Sequence, residues 1–239
     1  MKKESINKLL VVAIFAIAMG FLEAVVVIYL RRIYYPAGFS FPLKGFIESN
    51  ILGIEWIREF FTIVMLACIG LLAGKKFYSK FAYFLFAFSI WDIFYYVFLK
   101  LTLNWPPSFL TWDLLLLLPW NWVGPVITPL ICTILLITLA LLIIHYEDKG
   151  IKVKFTLKEW TLLIAGLLLV LYTWLIDYGR LIFGNSGFAK QFFTLVQNQD
   201  FINAISSYMP AYYRWTLFAI GIILASAGVI LFYLRNSKK

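Results

Sequence analysis

A few ionisable side chains lie in stretches that are otherwise almost wholly apolar, and their spacing says what chemistry they can do. Asp92 falls within the run from Phe81 to Leu103, and Glu23 within the run from Leu9 to Leu30. An ionised group at the middle of a bilayer costs about 2.5 to 3.5 kcal/mol on insertion scales, so each must be paired, protonated or solvated. Glu55, Arg58 and Glu59 follow one another at spacings that place them on one helical face. Two carboxyls in unlike surroundings can take opposite acid and base roles. The candidates for proton transfer are therefore Asp92, with Glu23, Glu55 or Glu59 as its partner. Tyr95 and Tyr96, one turn after Asp92, can orient a substrate, relay a proton or face a cation. Arg58, Asp113, Asn121, Asp177, Arg180 and Arg214 are the candidates for gripping a polar head. A plainer role for the same charges is to tie helices together.

Some chemistries are poorly supported. There is no glycine-rich phosphate loop and no Cys or His pair at metal-ligand spacing. The single histidine, His145, lies at the end of an apolar run beside Tyr146. Cys68 and Cys132 sit inside apolar runs and read as small hydrophobes rather than a disulfide. The expectation is metal-free acid–base work with no cofactor.

The elements that must carry these residues are membrane spans. The 239 residues are 63% hydrophobic and 14% charged, well below the quarter or so charged in soluble domains. An all-α, polytopic membrane bundle follows. A span needs about 20 apolar residues, and six runs qualify: Leu9 to Leu30, Ile51 to Gly74, Phe81 to Leu103, Val123 to His145, Trp160 to Arg180, and Tyr212 to Leu234. The first follows Lys2, Lys3 and Lys8 but is longer than a signal peptide's core, so it is expected to remain as a span. With no linker or internal repeat, one transmembrane domain over residues 1–239 is expected. Ala16 with Gly20 and Ala24, Gly70 with Gly74, and Gly221 with Ala225 form small-residue seams for close helix contact.

A seventh run, Phe109 to Leu118, spans only about 15 Å as a helix and stops at Pro119, which predicts a re-entrant half-helix. Pro106, Pro107, Pro119, Gly124, Pro125 and Pro129 break this region. Broken backbone survives at membrane depth only when buried in protein or lining a wet cavity, so residues 88–129 should wall a polar pocket. Residues 188–208 repeat apolar side chains at helical spacing, as amphipathic interfacial helices do, and could roof that pocket.

Six crossings put both termini on one side, together with thirteen of the 21 Lys and Arg residues. The positive-inside rule then predicts a multi-pass protein of the cell (cytoplasmic) membrane with both termini cytoplasmic. The net charge of +9 is read as contact with anionic membrane lipid and not with nucleic acid.

Trp91, Asp92 and Tyr95 form a Trp-acid-x-x-Tyr pattern that resembles the Trp-Glu-x-x-Tyr of integral membrane terpene cyclases, with Asp in place of Glu. The resemblance covers residues 91–95 and implies acid chemistry on an isoprenoid. The residues together point to an outward-facing acid, arginine and aromatic pocket for acid–base chemistry on a lipid or isoprenoid. The alternatives are a transporter of a small solute or ion that uses the carboxylates as a relay, and a non-catalytic accessory subunit.

Overall fold

A computed structural model describes residues 1–43, 49–184, 188 and 198–238. Six long apolar helices make the membrane bundle: α1 (Lys3–Tyr34), α2 (Ser49–Ala73), α3 (Phe77–Leu103), α4 (Ile127–Asp148), α5 (Leu157–Phe183) and α7 (Trp215–Ser237). A short α6 (Gln199–Ser207) precedes the last. The protein is an all-α membrane bundle, and its six spans overlie the six apolar runs. At 32 residues α1 is about 48 Å long, more than the hydrocarbon thickness, so its charged ends reach both surfaces. Thr156 and Glu159 start α5 with reciprocal capping bonds, and Asn198 starts α6 by accepting from two backbone N–H groups.

Small residues set the helix pairs. A Cβ on Gly20 of α1 would come within 2.9 Å of the Trp91 carbonyl oxygen of α3. On α2, Gly70 packs on the backbone of Lys80 and Phe84, and on α5, Gly166 packs on Gly221 and Ala225 of α7. With no hydrophobic drive between helices in lipid, such close backbone approach supplies the packing energy. All three predicted seams thus close within the chain.

Both ends of the chain lie on one face. The Lys2 backbone N–H and the Ser5 hydroxyl donate to Asp148 at the end of α4. Glu4 meets Lys75, and Arg235 binds Glu159 and the Lys154 carbonyl. The half of the bundle nearest this terminal face is filled by an apolar core that includes Leu9, Val12, Leu66, Phe86, Ile143, Val229 and Phe232.

The run 109–118 enters and returns without crossing, but the predicted half-helix is wrong. The region forms an antiparallel hairpin, β1 (Trp112–Leu116) paired with β2 (Trp122–Pro125), with Asp113 opposite Gly124 and an irregularity between Leu114 and Leu116. Two backbone bonds, Val126 N–H to Thr111 and Ile127 N–H to Phe109, close its base beside the start of α4. A short apolar run carries no decisive period. Pro119 and Pro125 deny a helix its continuation, whereas extended strands pair with each other and free Asp113 to reach Arg31.

Candidate functional site

On the face opposite the termini, α1, α2, α3, the hairpin, α5 and α6 enclose a cavity of about 200 Å³. Helical spacing builds its walls. On α1, Glu23, Val27, Leu30 and Arg31 recur at steps of four, three and one; on α2, Leu52, Glu55, Trp56 and Glu59 make a second stripe. From α3 come Trp91, Asp92 and Tyr95, and from β1 and its turn come Asp113, Leu114 to Leu117, Pro119, Trp120 and Asn121. Glu23, Glu59 and Asp92 lie farther along their helices toward the terminal face than Leu30, Arg31 and Leu52 do. Trp91, part of the apolar core, forms the floor.

Two ion-pair groups, one half-buried and one buried, brace the cavity. Arg58 binds Glu23 across the α1–α2 contact and Glu55 on its own helix, the latter at 2.7 Å. One turn on, the Thr62 hydroxyl donates to the backbone carbonyl of Arg58 within α2. Arg31 turns back from the end of α1 and donates through Nη2 to Asp113 at 2.9 Å, with its guanidinium 3.8 Å from the Trp105 ring and 4.3 Å from Phe39. Asp113 is wholly buried and also accepts from the Tyr96 hydroxyl. Glu59 accepts the Leu117 backbone N–H at 2.8 Å, which gives the hairpin's turn a partner at membrane depth.

Five polar atoms of residues in the lining are shut off from solvent and have no hydrogen-bond partner: Arg31 Nη1, Trp56 Nε1, Trp91 Nε1, the Tyr178 hydroxyl and Asp92 Oδ2. Leaving a buried polar group unpaired costs about 1 to 3 kcal/mol, so native proteins rarely keep several together. All five belong to residues that line one cavity: three N–H donors, one hydroxyl and one carboxylate oxygen.

α6 roofs the cavity with Phe201, Ile205 and Ser206. The rest of the predicted amphipathic segment, 189–197, lies outside the described residues. The roof is fastened at its far end, where Tyr208 donates to Asp177 at 2.9 Å and Arg214 holds the other carboxylate oxygen at 2.8 Å. Burial, and then the Asp177 charge, push the Tyr208 phenol above its ordinary pKa, which keeps it protonated and donating.

Of the residues predicted from sequence, Glu23, Glu55, Arg58, Glu59, Asp92, Tyr95, Asp113 and Asn121 line the cavity. Tyr96, Asp177, Arg180 and Arg214 lie outside its lining. Tyr96 turns to Asp113, Asp177 and Arg214 serve the roof, and Arg180 borders a separate lateral groove with Leu171, Tyr172 and Ile176. Arg31, Trp56 and Trp91 were not among the predicted site residues. For Arg31 the signal was present, because it continues the stripe begun by Glu23.

Among the described residues no three His, Cys, Asp or Glu side chains group as a metal site. No protein-family model, curated protein or solved structure matches the chain. The Trp-acid-x-x-Tyr pattern therefore rests on residues 91–95 alone.

Proposed function

We propose that this cavity binds the head of a lipid or isoprenoid drawn from the outer leaflet and performs acid–base chemistry on it. The observation that carries the reading is that five unpaired buried polar atoms belong to residues lining one cavity. Arg31, Trp56 and Trp91 would hold an acceptor on the substrate, and Asp92 would give or take the proton. Glu59 and Glu23, in the same lining, would act as the second station. The volume of about 200 Å³ suits a headgroup rather than a whole lipid. The tail would then leave past Leu30, Leu52 and Ile205.

Orientation belongs to the same proposal. Thirteen of the 21 basic residues lie on the terminal side, so the positive-inside rule favours cytoplasmic termini and an outward-facing site in the cell membrane. A transporter needs a polar route to both faces, and the apolar core beneath Trp91 weighs against that reading.

The test is an untargeted comparison of lipids and metabolites from a deletion strain complemented with the wild type or with Asp92→Asn. A species that accumulates in both the deletion and the Asp92→Asn strain, with the variant at normal abundance, is the expected result. An Asp92→Asn profile identical to the wild type would refute the reading.

A further inference from the structure

We propose that the head recognised by this cavity is a cationic nitrogen beside an oxygen acceptor, the chemistry of a long-chain amino alcohol. The inference rests on the cavity being the binding site, and goes further by fixing the charge of its ligand.

The charges of the lining do not balance. Among the described residues, five carboxyl and two guanidinium side chains line the cavity, and no lysine does. Arg31 is matched by Asp113, while Arg58 is shared between Glu23 and Glu55. Asp92 and Glu59 have no guanidinium of their own. A carboxyl in a low-dielectric wall binds either a proton or a cation. A phosphate or diphosphate head would enter this lining against a formal surplus of three negative charges, whereas an ammonium group would reduce that surplus.

The orphan donors bear on the ligand independently of the acids. Arg31 and Trp91 are 7% and 6% exposed, yet Arg31 Nη1 and Trp91 Nε1 have no acceptor. Neither can bond to an ammonium, which has no lone pair to offer. They need an oxygen, and a hydroxyl carries one without adding negative charge. The indole and phenol rings of Trp56, Trp91 and Tyr95 also present faces that attract cations. A head holding both features would offer an acceptor to an orphan donor and a cation to Asp92.

The experiment compares three probes that share one hydrocarbon body: sphingosine (a cationic amino alcohol), N-acetylsphingosine (neutral) and sphingosine 1-phosphate. Saturable binding is measured on the full-length protein in maltoside micelles, for the wild type, Asp92→Asn and Glu59→Gln, each with its melting temperature. The second variant keeps an acceptor for Leu117 and serves if the first melts early. Sphingosine should bind at least ten-fold tighter than either analogue. Each variant should weaken sphingosine about ten-fold and weaken the N-acetyl compound less. Equal or tighter binding of the N-acetyl or phosphate form overturns the charge inference while leaving the cavity a lipid site. Sphingosine affinity indifferent to both substitutions overturns it too. Binding of none of the three overturns it and also counts against the reading beneath it, which the strain comparison judges separately.

Discussion

Replacing Asp113 by Ala removes the carboxylate from the most deeply buried ion pair of the site. Arg31 would keep its charge at 7% exposure, with both terminal nitrogens now unpaired, and the Tyr96 hydroxyl would lose its acceptor. Breaking a buried pair from one side costs about 3 to 5 kcal/mol. The stacking of Arg31 on Trp105 and Phe39 survives the change and holds the guanidinium in place rather than letting it reach water. At about 2 to 4 °C per kcal/mol for a chain of this size, the melting temperature should fall by roughly 6 to 20 °C. The double variant Arg31→Met with Asp113→Leu fills similar volume without charge and should melt above the Asp113→Ala single variant, because an apolar replacement of a whole buried pair is often neutral. Thermal unfolding in detergent, followed by intrinsic fluorescence, measures all three proteins. Melting of Asp113→Ala within 2 °C of the wild type, or of the double variant below it, would refute the claim that a desolvated guanidinium is what the pair protects.

Two further outcomes follow from particular contacts. Glu59→Ala strips the Leu117 N–H of its acceptor and should cost about 1 to 3 kcal/mol, while Glu59→Gln keeps an amide oxygen there and should stay within about 1 kcal/mol of the wild type; thermal melting of the pair decides it. Gly166→Val would drive a side chain into the Gly221 carbonyl and the Ala225 backbone of α7, contacts already at 2.6 and 2.7 Å for a bare Cβ, and should lose about 1 to 3 kcal/mol in the same assay.

The spans were legible because lipid imposes one rule on every residue of a crossing, so length and apolarity locate it without knowledge of neighbours. The seams at Gly20, Gly70 and Gly221 were legible for a related reason, since small residues at spacing four have few uses in an apolar helix other than close contact. The hairpin was not. Five consecutive leucines favour a helix by local propensity, and the partners that hold them extended, Val123 and the Glu59 carboxylate, come from elsewhere in the chain. The acids at mid-depth were found because charge in lipid stands out, but nothing in the sequence showed that Asp177, expected to grip a polar head, instead binds Tyr208 and Arg214. Trp56 and Trp91 were missed because an indole looks the same in sequence whether its N–H is satisfied or not. Their meaning appears only where the N–H is buried without a partner.

The central claim is that the unpaired donors and the Asp92 carboxyl exist to hold a ligand. Native mass spectrometry of the full-length protein, released gently from detergent, tests it most directly on the wild type and on Trp91→Phe, which removes one orphan N–H and keeps the ring that floors the cavity. The account predicts an adduct of lipid or isoprenoid mass on the wild type that is depleted at least several-fold on a Trp91→Phe protein of equal melting temperature. Bare polypeptide from the wild type, or the same adduct at the same occupancy on both proteins, would contradict it.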